Sequence, residues 1–177
     1  MFKIKKLYSF FTVALLLFLT GCTTGIPDNV QPVSGFDAAR YVGKWYEIAR
    51  LDHSFERGLI DVYAVYKQNP DGSIGVENFG YDSEKKEWQS VEGKAYFLES
   101  PDTGRLKVTF FWPFYGAYNI IVLDKKNYSY AMVCSYNKSY LWILARDKSL
   151  DKKILDSLLL QAKALGFDTS KLIYPQK

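Results

Sequence analysis

The sequence between Lys44 and Arg146 is a succession of short runs rich in β-branched and aromatic residues, separated by turn residues. This pattern is typical of antiparallel strands joined by hairpins rather than of alternating strands and helices. Asn, Pro, Asp and Gly fill the intervals because they fix or tolerate the backbone angles that tight turns need. We predict an all-β domain with eight strands, at 44–53, 60–68, 73–82, 87–98, 105–112, 117–124, 128–135 and 140–146.

The period of the apolar residues changes after Arg146. Leucine, isoleucine and alanine then recur at spacings of three and four from Leu150 to Leu165, which predicts one amphipathic helix. Ser149 or Asp147 is expected to cap its first turn, and Gly166 to end it. A short last strand is expected around 172–174.

Eight consecutive strands can form a sandwich or a closed barrel. We favour an up-and-down β-barrel, because closure removes the two open edges that a single meander leaves. An eight-stranded barrel is filled by its own side chains or holds one small ligand.

Residues 1–21 have the composition of a secretory signal peptide. Three lysines precede an apolar run at 7–19, which is short for a transmembrane helix because a hydrocarbon core of about 30 Å takes about 20 apolar residues. The sequence Leu-Thr-Gly-Cys that ends at Cys22 resembles the bacterial lipobox, which implies cleavage before Cys22 and its acylation. Thr23 fits the sorting pattern of outer-membrane lipoproteins that face the periplasm. Residues 22–35 are rich in Pro, Gly, Thr and Ser and predict a flexible tether to a domain at 36–177.

Charge and cysteine content exclude several classes of protein. The chain has 23 basic and 19 acidic residues, and three of the basic ones lie in residues 1–21 with no acid, which leaves 20 against 19. Nucleic-acid binding is therefore not expected. If Cys22 is acylated, Cys134 has no partner for a disulfide, and its apolar surroundings in sequence predict a buried structural thiol.

Three motifs resemble the signatures of the lipocalin family. They are "GKWYEIAR" from Gly43, "YNIIVLDKKNYSYA" from Tyr118 and "YLWILAR" ending at Arg146, in order and with matching spacing over about 36–175. With the lipobox, the chain resembles the bacterial outer-membrane members of that family. The resemblance implies that Gly43, Trp45 and Arg146 close one end of the barrel, with the guanidinium over the indole, a contact of roughly 0.5–2 kcal/mol.

Strand alternation from Trp45 and Arg146 predicts which other side chains point inward. Glu47 would then lie inside with a partner, or at the rim if its strand faces outward, because an unpaired buried carboxylate is costly. A second set would contact a ligand or its head group, although simple filling of the barrel is the alternative. The inward candidates are Glu47, Ala49, Leu51, Leu106, Val108, Phe110, Ile120, Val122, Tyr130, Met132, Tyr140, Trp142 and Leu144. The predicted ligand-binding set is Trp142, Tyr118, Tyr96, Phe110, Met132, Val108 and Leu144, with Lys94 as a further candidate for a head group.

Two loops are expected at the open end. "LDHSFERG" places His53 and Arg57 at a solvated mouth, where they could meet a phosphate. A metal or acid–base site at His53 is the alternative, but it lacks a second ligand motif. The aromatic stretch 109–118, with its turn at Pro113 and Gly116, is expected to cap the cavity, touch membrane, pair with a second copy in a homodimer, or fold back on itself.

The resemblance implies a carrier of single-chain lipids such as lysophospholipids and fatty acids, without cofactor, metal or catalytic residues. Two alternatives stay open. One is a lipid-modifying enzyme on the same scaffold, although the sequence has one histidine and no Gly-x-Ser-x-Gly motif. The other is a structural or assembly lipoprotein whose barrel is filled.

Overall fold

The structure, a computed structural model, describes residues 22–176. The predicted signal peptide lies outside the described residues. Within 22–176, no helix is both long enough and apolar enough to span a bilayer.

Eight antiparallel strands form a closed barrel, as predicted. Each strand pairs with the next in sequence, and the last pairs with the first. The alternating directions bring the β2–β3, β4–β5, β6–β7 and β8–β9 connections to one end, which we call the mouth, and the other end is the floor. The strands are β2 Gly43–Leu51, β3 Leu59–Gln68, β4 Ile74–Asp82, β5 Glu87–Phe97, β6 Arg105–Phe111, β7 Phe114–Leu123, β8 Tyr130–Cys134 and β9 Leu141–Ala145.

The predicted C-terminal helix is α2, Lys152–Ala164. Its N-cap is Asp151 rather than Ser149 or Asp147, because the Asp151 carboxylate accepts from the amides of Lys153 and Ile154. Leu158 and Ala162 are buried against the outer wall of the barrel. The chain then returns as a two-residue strand, β10 Leu172–Ile173, which pairs with β2.

Residues 22–35, predicted as a flexible tether, lie along the barrel instead. A two-residue strand, β1 Cys22–Thr23, pairs in parallel with Tyr115 and Gly116 of β7. Farther along, the Val33 amide donates to the Ile120 carbonyl and the Val33 carbonyl accepts from the Gly104 amide. Buried Val30 adds an apolar contact that composition alone did not reveal. The chain then forms a short helix, α1 Ala38–Tyr41, at the floor.

Two apolar clusters lie on either side of the barrel wall, one inside the barrel and one between the wall and α2. Register shifts in β2, between Glu47 and Ala49, and in β7, between Ile120 and Val122, exchange the two faces of those strands. The predicted inward positions of Ala49, Leu51 and Val122 are therefore wrong, because all three pack in the outer cluster.

The β6–β7 hairpin turns at Trp112 and Pro113, where β6 ends and β7 begins. Gly116, predicted to mark the turn with Pro113, lies within β7 instead. The Gly116 residue pairs with Val108 on one side and with Thr23 on the other.

Candidate ligand-binding site

The barrel encloses a cavity of about 110 Å³, and the space around it opens to solvent at the mouth. The walls are mostly apolar, and the few polar groups form two clusters. Five of the predicted ligand-binding residues line this space: Trp142, Tyr118, Phe110, Val108 and Leu144.

Two predicted ligand-binding residues lie elsewhere. Met132 is fully buried, but it packs in the outer cluster and pairs with Ile143 and Val122. Both faces of β8 are apolar, so its sequence does not reveal which face is inside, and the assignment of Met132 as inward was wrong by one residue. Tyr96 lies against Tyr115, outside the cavity. Its neighbour in β5, Ala95, is the residue that faces inward.

The floor is built around Trp45, which is fully buried. Its Nε1 donates to the Tyr41 carbonyl at 2.7 Å, and the Arg146 guanidinium lies 4.0 Å from its ring centroid. The same guanidinium donates to the carbonyl groups of Lys44, Arg40 and Tyr41 at 2.8–3.1 Å. Through its stacking on Trp45 and its hydrogen bonds to these carbonyl groups, Arg146 joins α1, β2 and the end of β9 at the floor.

Gly43 is required by the floor geometry. Its φ is +97°, which other residues rarely adopt, and a Cβ there would lie 3.3 Å from Arg146 Nη1. A glycine therefore lets β2 begin directly beside the guanidinium.

Three tyrosines form the first polar cluster, just above the floor: Tyr41 and Tyr66 are buried, and Tyr118 is half-buried. The Tyr118 hydroxyl lies 2.8 Å from that of Tyr41 and 2.9 Å from that of Tyr66. Burial raises the pKa of all three phenols, so they stay neutral. Three hydroxyls contribute three protons to two mutual bonds, which leaves one O–H able to donate elsewhere.

Sequence reasoning found Tyr118 but missed Tyr41 and Tyr66. Tyr66 follows Ala64 and Val62 in alternation along β3, and this pattern could have identified it as inward. Tyr41 comes from α1, where strand alternation carries no information.

A charged cluster forms the second polar group, on the wall nearer the mouth. Arg50 Nη1 donates to Glu47 Oε1 at 2.5 Å, and Arg50 Nη2 donates to the Glu56 carbonyl at 2.7 Å. Glu56 Oε2 accepts from Trp142 Nε1 at 3.2 Å. Of the two alternatives for Glu47, the structure shows the interior one, with Arg50 as its partner.

The two carboxyl groups of this cluster titrate in opposite directions. Burial, and then the negative charge of Glu56, raise the pKa of Glu47 well above its usual range. Burial also acts on Glu56, but its contacts with His53, Glu47 and Arg50 outweigh burial and lower its pKa. As pH falls, Glu47 is therefore the first of the two to take up a proton.

His53 was expected on a solvated rim, and this is wrong: the side chain is buried at the mouth. The rings of Trp142, Phe55 and Tyr140 lie 5.1–5.8 Å from the imidazole and exclude water from it. Arg57 is exposed and pairs with Asp52 at 2.8 Å. Among residues 22–176 no group of three or more acidic, histidine or cysteine side chains is placed to hold a metal ion.

A barrel with one closed end, an apolar interior and a few convergent polar groups defines a protein that encloses a small apolar ligand. The sequence profile of the family described as "Lipocalin-like domain" matches residues 36–177, and the chain belongs to this family. It is therefore a binding protein rather than an enzyme, as the sequence indicated.

Individual relatives agree with this assignment. The chain is 51% identical to "Outer membrane lipoprotein Blc" of Vibrio cholerae, over 94% of this chain and 97% of the relative. It is 48% identical to the protein of the same name from Escherichia coli K12, over 85% of each. Insecticyanin from the tobacco hornworm Manduca sexta superimposes with a TM-score of 0.67 at 26% identity, over 85% of this chain and 86% of that one.

Proposed function

We propose that this protein is an outer-membrane lipoprotein that binds single-chain lipids in its barrel and stores or carries them for maintenance of the envelope. The observation that carries the proposal is the apolar cavity between the Trp45 floor and the mouth. Relatives named as outer membrane lipoproteins support the location. A cavity of this kind also speaks against the alternative of a filled, purely structural barrel.

The ligand classes we propose are lysophospholipids and fatty acids. Each methylene removed from water contributes about 0.8 kcal/mol, so ten buried methylenes contribute about 8 kcal/mol, the free energy of a micromolar complex. The tail would lie along Phe110, Val108 and Leu144. Trp142 and Tyr118 add polar groups to this wall, and exposed Arg57 at the mouth is suited to a phosphate.

Membrane attachment would follow from acylation of Cys22 after removal of residues 1–21. One acyl chain gives only marginal membrane binding, whereas the several chains of a bacterial lipoprotein give a stable anchor. The domain at 36–177 would then face the periplasm, beside the inner surface of the outer membrane.

The test is a titration of delipidated protein with lysophosphatidylethanolamine and with palmitate, followed by tryptophan emission. We expect a saturable change at micromolar ligand that is lost or much reduced in Trp142→Phe, because this indole lines the cavity. Trp88→Phe is the matched control, since Trp88 lies on the outer face of β5 and should leave the signal intact.

A titration without any change in emission would contradict the proposal. If neither ligand changes the emission, and native mass spectrometry finds no retained lipid, the lipid-binding proposal fails. The structural or assembly lipoprotein then becomes the better explanation, and a search for a protein partner would follow.

A further inference from the structure

The most exposed large apolar side chains gather at the mouth. In residues 22–176, the three with the greatest exposed fraction are Trp112 at 80%, Phe55 at 77% and Phe111 at 73%, and Phe114 is exposed at 58%. Phe55 lies on the β2–β3 loop and the others on the tip of the β6–β7 hairpin, both at the open end. Three exposed aromatic rings on one hairpin tip, at Phe111, Trp112 and Phe114, form the kind of apolar surface that marks an interaction site.

The backbone of the proposed lipid anchor lies beside this tip. Cys22 pairs with Tyr115, one residue after Phe114. Neighbouring strands are about 4.8 Å apart and each residue advances about 3.3 Å, so the Cys22 backbone is within roughly 12 Å of the tip. Acyl chains on Cys22 would therefore hold the hairpin at the membrane surface, with no long tether between them.

We propose that Phe111, Trp112 and Phe114 dock into the interface of the bilayer that holds the acylated Cys22, so that the barrel mouth faces the lipid. This rests on the proposed function, because it takes the anchor at Cys22 as given. Tryptophan prefers the head-group region of a bilayer, where its ring is in an apolar layer and its N–H meets water. The acyl chain of a lipid ligand could then pass between the bilayer and the cavity without crossing bulk water.

The charge beside the tip fits the same occupant. Lys107 lies on the outer face of β6, with its Nζ 4.6 Å from the ring centroid of Tyr115. An ammonium at this height is attracted by anionic phospholipid head groups, and contributes about 1 kcal/mol near such a surface. The aromatic tip and the cation together match an anionic bilayer.

Two other occupants fit the tip less well. The rings do not cap the cavity, since their exposed fractions show that the chain does not cover them. A second copy would need roughly 800 Å² of buried surface per partner, whereas three aromatic side chains supply about 150–250 Å² each. The smaller area favours a bilayer over a dimer.

The experiment uses the full acylated chain reconstituted into vesicles of phosphatidylethanolamine and phosphatidylglycerol. The contribution of Trp112 is the difference in emission between the parent and Trp112→Phe. We expect phospholipid brominated near the glycerol end of its chains to quench this contribution at least twofold. The same contribution should be shielded from aqueous iodide.

Matched variants separate docking from mere proximity. Phe111→Ser/Phe114→Ser retains the Trp112 reporter and should lose at least half of the quenching by brominated lipid. Leu160→Ser removes an equally exposed apolar side chain from α2 and should leave the quenching unchanged. Leu160→Trp in the Trp112→Phe background is a reporter on the side wall, and it should stay accessible to iodide.

Three results would overturn the proposal. In the first, Trp112 stays open to iodide and brominated lipid quenches it no more than the reporter at position 160. In the second, Trp112 is shielded from both quenchers in a manner that depends on protein density, which identifies a second copy as the occupant. In the third, mass spectrometry of the same sample finds no acyl chain on Cys22, which removes the anchor. A lysophospholipid titration of that sample tests ligand binding separately.

Discussion

Arg50 Nη1 lies 2.5 Å from Glu47 Oε1, inside the barrel, although the two residues are three positions apart on one strand. Regular alternation would put them on opposite faces. The register shift between Glu47 and Ala49 turns Arg50 to the inner side, where its charge meets the carboxylate that the cavity would otherwise leave unpaired. The same shift places Ala49 in the outer cluster under α2.

Removal of one partner of this buried pair should be strongly destabilising. We expect Arg50→Met to lower the free energy of unfolding by about 3–5 kcal/mol, because Glu47 is left in the interior without its cation. Glu47→Gln/Arg50→Met should cost less than Arg50→Met alone, as it removes both charges. Urea unfolding of the parent, Glu47→Gln, Arg50→Met and the double variant measures the coupling, and strictly additive losses would contradict a direct pairing.

The raised pKa of Glu47 predicts how stability depends on pH. A carboxyl whose pKa is higher in the folded state than its usual value of about 4.3 takes up a proton on folding. Its contribution is then fully present below about pH 4.3 and is lost as pH rises through the raised pKa. Between about pH 4 and pH 8, stability should therefore shift in favour of Glu47→Gln relative to the parent. Urea midpoints across this range test it, and parallel curves would contradict it.

Arg146→Lys should weaken the floor even though the charge is kept. A lysine ammonium cannot reach the carbonyl groups of Arg40, Tyr41 and Lys44 at once, and it loses the flat face that stacks on Trp45. We expect a loss of about 2–4 kcal/mol in the free energy of unfolding.

Arg40→Lys is the matched control for the floor. Arg40 also donates to two carbonyls, of Lys125 and Lys126, but in exposed positions. The Arg40→Lys variant should lower the free energy of unfolding by less than about 1 kcal/mol, because exposed hydrogen bonds are exchanged for hydrogen bonds to water. Because the Arg40 guanidinium also lies over a ring, 4.2 Å from the Tyr128 centroid, equal losses in the two variants would show that burial at the Trp45 floor has no special role.

The Cys134 thiol should be inert in the folded protein. Burial raises its pKa to about 12, so almost no thiolate is present at neutral pH. A thiol reagent such as iodoacetamide should therefore modify it only after denaturation in urea, and mass spectrometry of the 134-containing peptide measures this. Rapid modification of native protein would mean that β8 opens locally.

The sequence contained the strands, the helix and the floor because each depends on local pattern. Turn residues and apolar spacing mark the elements, and the Trp45–Arg146 contact was implied by the resemblance of the first and last strand motifs to lipocalin signatures. Residue faces were predictable where no register shift intervenes: Leu106 and Val108 line the cavity, whereas the shift in β7 reverses Val122. Bulges depend on backbone fit across neighbouring strands, so single-strand alternation cannot reveal them.

Contacts from outside the strands were also beyond reach of the sequence. The Tyr41 hydroxyl enters the cavity from a four-residue helix. Residues 22–35 are held on the barrel in part by backbone hydrogen bonds, which do not depend on which side chains are present. His53 has a polar neighbourhood in sequence, yet the rings of Tyr140 and Trp142 bury it.

Tyr118→Phe should show whether the tyrosine cluster serves stability or ligand recognition. Loss of this hydroxyl leaves those of Tyr41 and Tyr66 buried without a partner, which should lower the free energy of unfolding by about 1–3 kcal/mol. Tyr115→Phe, on the outer face of the same strand, should have almost no effect. If the spare O–H of the cluster also meets a polar group of the ligand, lysophospholipid affinity should fall at least fivefold in Tyr118→Phe and stay unchanged in Tyr115→Phe. A stability loss with unchanged affinity would assign the three tyrosines to the barrel alone, because the ligand would then meet only the apolar wall above them.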